Sequence, residues 1–133
     1  MTDTPIYLDS CVVIYLIEQH PAFASQIAGA MSGSDDLYAI SPLVRMECLV
    51  KPLRDHDANL ACRYRQAFAA FAQLSVSARD LDLAAQLRAD HGLKTPDALH
   101  LAIARRSHCA ALWTNDDRFA KAAPGYAVDI RTL

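Results

Sequence analysis

A chain of 133 residues that is 53% hydrophobic with only four glycines has room for one domain with a single core, and it excludes a disordered or fibrous protein. A net charge of −2 argues against the globally basic surface of many nucleic-acid binders, although local patches can still contact phosphates. The longest apolar run of the N-terminal stretch, Cys11 to Ile17, falls far below the ~20 residues of a membrane span. Met1 to Thr4 carry no basic leader, so a cytoplasmic protein is expected.

Taken in order, Ile6-Tyr7-Leu8 after Pro5 is a short apolar run that predicts a buried strand, which Asp9 interrupts. Ser10 is a cap for a helix running to about Glu18, and Pro21 marks the next start. A small-residue helix over Ala22 to Met31 ends in the turn-rich Ser32 to Asp36, and Leu37 to Ile40 is a strand. Ser41-Pro42 reads as N-cap plus first-turn proline of a third helix, which Pro52 should end. Asp57 to Gln73 predicts a longer amphipathic helix with Leu60, Tyr64, Ala67, Phe68 and Phe71 on one face, followed by a strand at Leu74 to Val76.

Ser77 caps a helix over Ala78 to His91 that Gly92 closes. Thr95-Pro96 repeats the cap-plus-proline start for a helix reaching about Ser107. Ala110 to Trp113 is the next buried strand, Thr114-Asn115-Asp116-Asp117 opens a short helix, and Tyr126 to Ile130 is the last strand. This alternation predicts one domain, 1–133: a three-layer α/β/α sandwich with a central, mainly parallel sheet.

The four cysteines, Cys11, Cys48, Cys62 and Cys109, form no C-x-x-C pair and read as reduced, mostly buried thiols. His20, His56, His91, His100 and His108 lack ligand spacing and are expected to be surface or locally satisfied residues, with no His/Cys metal site.

Four carboxylates have unusual settings. Asp9 ends a buried strand, at the strand end where parallel sheets place their ligands. Glu47, one of only two glutamates, shares the apolar face of its helix with Leu43 and Val50. Asp97 takes the second position of a helix, where the dipole favours an anion, and Asp116 follows a buried strand. Each has a simpler role open to it: a cap for Asp9 in place of Ser10, an arginine partner such as Arg45 for Glu47, a first-turn acid for Asp97, a turn or cap for Asp116. Brought together, however, such acids repel by about 4 kcal/mol per pair at ~4 Å and an effective dielectric near 20. Protonation or a bound cation would relieve that, and oxygen-only ligands suit Mg2+ or Mn2+.

Tyr7-Leu8-Asp9-Ser10, Glu47 within Arg45-Met46-Glu47-Cys48, Thr95-Pro96-Asp97-Ala98-Leu99-His100-Leu101-Ala102 and Thr114-Asn115-Asp116-Asp117-Arg118-Phe119 occur in an order and spacing that resembles a PIN-domain ribonuclease, most like the VapC-type toxins of bacterial toxin–antitoxin pairs. The resemblance spans nearly the whole chain. It implies a PIN-like fold and a metal-dependent endoribonuclease whose acidic quartet is Asp9, Glu47, Asp97 and Asp116, with Asp9 and Asp97 the firmest ligands of Mg2+ (or Mn2+). Glu47 and Asp116 would complete the shell or orient the attacking water. Ser10 and Thr114 would hold a metal-bound water or phosphate, or else only cap helices, and Asp117 competes with Asp116 as fourth acid. The products implied are a 5′-phosphate and a 3′-hydroxyl. The family also implies a VapB-type antitoxin, whose helix docks in an apolar groove, and a homodimer. Cys11 departs from the family pattern, where Asn or another small polar residue is common.

RNA, whether tRNA, rRNA or mRNA, needs cations around an anionic site. Arg45, Lys51, Arg54, Lys94, Arg118 and Lys121 are the candidates, with Arg63 and Arg65 on opposite sides of their helix less persuasive. A haloacid-dehalogenase-like phosphatase would want a second Asp where Cys11 stands. A receiver-like signalling module would want paired acids and a late lysine, and a catalytically silent PIN-like binding module would lose acids that are all present here.

Overall fold

Ile6, Tyr7 and Leu8 send successive side chains to opposite faces of a strand, yet all three are buried, so both faces must be covered by helices. In the computed structural model, which describes residues 4–133, this strand (β1, Ile6–Leu8) is the middle of a sheet. The other strands are β2 (Tyr38–Ile40), β3 (Ala72–Gln73), β4 (Ala111–Thr114) and β5 (Ala127–Asp129). The order is β3-β2-β1-β4-β5, and every pairing is parallel. Seven helices among the described residues complete the expected three-layer α/β/α arrangement.

The chain steps from β1 outward through β2 to β3, then returns to the other side of β1 for β4 and β5. The order therefore reverses between β1 and β4, and a crevice opens outside the carboxyl ends of strands at such a switch point. The register pairs Leu8 with Trp113, so the residues following both strands, from Asp9 and from Thr114 onward, emerge side by side.

Helices α1 (Ser10–Ile17), α2 (Ala24–Ser32), α3 (Pro42–Arg54) and α4 (Ala58–Phe68) pack on one another through α1 and α3. Helix α5 (Ala78–His91) packs along α6 (Thr95–Arg106), whose Ala98, Leu101, Ala102, Ile103 and Ala104 are all fully buried. Helix α7 (Asp117–Ala122) follows β4, and a 3-10 turn at Ile130–Thr132 ends the chain. Among the described residues no helix is long and apolar enough to cross a membrane.

Several expected boundaries move, for physical reasons. The cap of α1 is Asp9 rather than Ser10: its carboxylate accepts the Ser10 N–H at 2.7 Å. The cap of α6 is Lys94, which makes Asp97 the third helical residue rather than the second. Helix α2 starts two residues later than expected, at Ala24. Pro52 does not end α3; it is buried in the last full turn and the helix runs on to Arg54, because ring burial outweighs the lost N–H.

The fourth helix stops at Phe68 instead of Gln73, and the strand forms at Ala72–Gln73 instead of Leu74–Val76. The open edge of β2 takes Ala72 and Gln73 as partners of Ala39 and Ile40. The Gln73 amide then donates to the Phe68 and Phe71 carbonyls at 2.8 and 2.9 Å, satisfying acceptors at the helix end. All four cysteines are free, and burial pushes the Cys48 and Cys109 thiols up to about 12 and about 11.

Candidate active site

Asp9 emerges at the switch point with only 7% of its surface exposed. A carboxylate so placed needs donors. One oxygen accepts the Ser10 N–H, and the other accepts the Thr114 hydroxyl at 2.9 Å. Thr114 in turn accepts the Asp116 N–H at 3.2 Å, so one hydroxyl ties together the ends of β1 and β4. Ser10 Oγ lies 3.4 Å from Asp9, a much looser contact.

Glu47 faces inward from α3, as expected, but its partner is not an arginine. His100 Nε2 lies 2.6 Å from Glu47 Oε1 and 3.5 Å from Asp9 Oδ1. Arg45 instead stacks over the Phe68 ring, 5.0 Å from its centroid. His100 is fully buried and is satisfied by residues distant in sequence: its Nδ1 is 2.6 Å from the Tyr7 hydroxyl, which is 2.7 Å from Ser41 Oγ. The expectation of a surface or locally satisfied histidine is thus corrected, since the ring joins β1, α3 and α6. One ligand atom each from Asp9, Glu47 and His100 all lie within 4.8 Å of one another.

Asp97 and Asp116 stand outside this tightest group but within its electrostatic field. Burial raises the Asp97 pKa, and the charges of Asp9, Asp116 and Glu47 raise it further against the opposing effect of His100. For Asp116, burial pushes upward, but hydrogen bonds from the Arg118 side chain and backbone, together with its charge, leave the carboxyl below its usual range. The Arg118 N–H donates to Asp116 at 2.9 Å and its guanidinium lies 3.4 Å away. Asp117 is exposed at the start of α7, whereas Asp116 caps that helix, is partly buried, and its charge acts on Asp97. The Cys11 thiol is raised by burial and by the nearby Asp9 charge, and it stays protonated beside the site.

A cleft of about 310 Å3 opens at Asp97, lined also by His91, Gly92, Leu93, Lys94 and Arg118. Of the expected RNA-contacting cations, Lys94 and Arg118 line it. Lys51 is engaged elsewhere with Glu18 at 2.6 Å, and Arg54 pairs with Asp55. Glu18 also accepts from the Tyr64 hydroxyl at 2.5 Å, and Arg63 donates to the Ile17 carbonyl, so that end of α1 is a structural clasp.

The donor set is oxygen-rich and carries excess negative charge, which fits a hard divalent cation. The Asp97 shift yields a prediction whose sign is definite. An acid whose folded-state pKa lies above its unfolded value stabilises the fold only when protonated, and its ionisation opposes folding as pH rises. Asp97→Asn should therefore raise the melting temperature of metal-free protein at pH 7, by roughly 1–3 °C for a half-exposed group. The difference from wild type should close as pH falls toward about 4, and saturating Mg2+ should stabilise wild type more than the variant. Scanning calorimetry at both pH values, with and without Mg2+, reads all of these shifts.

Residues 6–124 match the family described as PIN domain. No curated protein sequence matches the chain. Among solved structures, a toxin–antitoxin complex from Klebsiella pneumoniae is similar at 25% identity, with a TM-score of 0.78 over 94% of this chain and 97% of that one. A VapBC complex from Rickettsia felis bound to a promoter DNA fragment is similar at 19% identity, TM-score 0.72, covering 94% and 98% of the two chains. A sarcin–ricin-loop-cleaving VapC toxin from Mycobacterium tuberculosis shares the fold at 16% identity, TM-score 0.75, covering 89% and 95%. With nearly all of its length matched, the chain belongs to the PIN domain family.

Proposed function

We propose that this protein is a Mg2+- or Mn2+-dependent endoribonuclease, the toxin of a toxin–antitoxin pair, acting in the cytoplasm as one nuclease domain over residues 1–133. The observation that supports this reading is the meeting of Asp9 and Glu47 beside the β1/β4 switch point, with Asp97 near enough that the charges of Asp9, Asp116 and Glu47 raise its pKa. Asp9, Asp97, Glu47 and Asp116 would hold the cation. When bound, it would neutralise the acids and supply Lewis acidity at the phosphate.

The chain's own residues do the remaining work. Ser10 N–H and Thr114 fix both Asp9 oxygens in place before any ligand arrives. Asp116, kept ionised by Arg118, and Glu47, pinned by His100, orient the attacking water. Water oxygen bonds to phosphorus as it gives up a proton to a carboxylate of the site, the bond from phosphorus to the 3′ oxygen breaks, and that oxygen takes a proton from solvent, leaving a 5′-phosphate and a 3′-hydroxyl. Lys94 and Arg118 draw the RNA backbone into the cleft beside Asp97.

An antitoxin partner is supported by the similar toxin–antitoxin complexes and by an exposed apolar stripe on α3. Met46, Val50 and Leu53 there are 57%, 53% and 54% exposed, at the spacing that receives a partner helix. A homodimer is part of the same proposal. The test is incubation of purified protein with total RNA in Mg2+, then in EDTA, then with Mg2+ or Mn2+ restored. Cleavage giving 5′-phosphate ends should stop with EDTA and return with metal; cleavage that persists in EDTA rejects the proposal.

A further inference from the structure

We infer that His100 is a positioning residue of the acidic site, a buried N–H donor that holds Glu47 in place, rather than a ligand of the cation. The inference rests on reading the acids as a cation site. It begins from a chain of contacts of which the nuclease reading uses only the last: Ser41 Oγ to Tyr7 hydroxyl at 2.7 Å, Tyr7 hydroxyl to His100 Nδ1 at 2.6 Å, His100 Nε2 to Glu47 at 2.6 Å. Ser41, Tyr7 and His100 are all fully buried, so each of these polar atoms depends on the others.

The hydrogens of this chain follow from what each group can do. A carboxylate oxygen only accepts, so at 2.6 Å the His100 Nε2 must carry the hydrogen between them. A lone pair in its place would face the carboxylate's own lone pairs at a separation shorter than an ordinary N–H···O contact. Behind the ring, the Nδ1 to Tyr7 contact and the Tyr7 to Ser41 contact each take one hydrogen in either direction, so the hydrogen on Nε2 does not depend on which way they run. Each contact of the chain holds one hydrogen, and the last of them is the His100 N–H donating to Glu47.

A nitrogen that already carries a hydrogen has no lone pair for a metal. Although Nε2 lies close enough to Asp9 and Glu47 to complete a three-ligand group, the hydrogen-bonded arrangement assigns it to the layer behind the ligands. Hard divalent cations prefer oxygen over imidazole, which agrees with that division. Carboxylates that bind metals are commonly oriented by such outer donors, whose removal weakens metal binding by about 10- to 100-fold. Position supports the role as well: His100 stands three residues after Asp97, on the same face of α6, so one helix presents both an acid and the donor that sets its neighbour.

The test compares wild type, His100→Gln, His100→Leu and Tyr7→Phe. Mn2+ and Mg2+ affinity is read by calorimetry, and the imidazole nitrogens of wild type are read by 15N NMR before and after Mg2+. The expected spectrum has a protonated Nε2 in both states. His100→Leu should weaken metal binding by about 10- to 100-fold. His100→Gln, whose amide can offer an N–H toward Glu47, should recover most of that loss. Tyr7→Phe removes the partner of Nδ1 and should leave the Nε2 hydrogen in place, held by Glu47, with only the Nδ1 resonance shifted.

Loss of the Nε2 proton when metal is added would overturn the inference, as would His100→Gln binding no better than a folded His100→Leu, or His100→Leu binding as wild type. Should His100→Leu fail to fold, the wild-type spectrum and His100→Gln still decide. A wild type that binds neither cation would reject the cation site itself, and the inference with it; binding by wild type together with any of the other failures rejects only the role given to His100.

Discussion

Asp9→Asn should lower RNA cleavage by at least about 10³-fold, the scale on which removal of a group that stabilises transition-state charge acts, while leaving the fold intact. Asparagine is the informative replacement because Asp9 has two duties. Its first oxygen caps α1 through the Ser10 N–H, a task that Asn performs as well as Asp. Its second accepts from Thr114, whose hydroxyl can rotate to accept from the new amide instead. What disappears is one negative charge at a nearly buried position facing Glu47 and Asp97.

Asp9→Ala would confuse the result. It removes the cap as well, at about 0.5–2 kcal/mol, and orphans the Thr114 hydroxyl. Cleavage by the two variants, measured at matched folded fraction, should be equally low, with only Asp9→Ala melting clearly earlier. Metal-dependent cleavage that survives in Asp9→Asn would remove Asp9 from the site.

The parts of the molecule legible in the sequence are those where local chemistry and tertiary structure agree. Strands β1 and β4 announce themselves as apolar runs broken by an acid, because both are buried on two faces and end at the crevice. Helix α5 lies within its expected bounds, since Ser77 and Gly92 mark both ends: Ser77 and Asp80 form a capping box, and Gly92 adopts a left-handed φ of 65°. Long-range choices are what the sequence hides. Strand β3 has two residues, too few for any periodicity, and exists because β2 offers an open edge. Arg45 looks available to Glu47 or RNA until Phe68 arrives from another helix to take it.

His100 is the instructive miss. A histidine three residues after Asp97, amid Leu101, Ala102 and Ile103, is a polar group on a helix face that has no room for one, and that was a usable signal. Its partners, Tyr7 and Glu47, sit 93 and 53 residues away in sequence, which no spacing rule reaches. The candidate acids stood out because carboxylates at strand ends are costly and therefore conspicuous. The groups that orient them did not, because a buried histidine, tyrosine or serine looks ordinary until its partner is known.

Asp80→Ala should be strongly destabilising without touching the chemistry, and it separates fold from site. Asp80 is 3% exposed and does two things at once. It accepts the Ser77 N–H at 2.8 Å, closing the capping box of α5, and it receives the Arg106 guanidinium at 2.7 Å from α6. The box is worth about 1 kcal/mol. A charge-assisted bond from Arg is worth about 1.5–3 kcal/mol, taken at its lower end because Arg106 is 36% exposed and can return to water. Together these give about 2–3 kcal/mol, or a fall in melting temperature of about 6–12 °C for a chain of this length. Asp80→Asn keeps an acceptor for Ser77 and loses only the charge, so it should show about half the fall. Arg106 lies nine residues beyond Asp97 on α6, about 14 Å along the axis, so cleavage per folded molecule should stay at the wild-type rate in both variants. A melting point for Asp80→Ala within 2 °C of wild type would mean that α5 and α6 are joined by their apolar faces alone. A loss of cleavage at full folding would instead mean that the α5–α6 pair sets the position of Asp97, with the Asp80–Arg106 bond as its anchor.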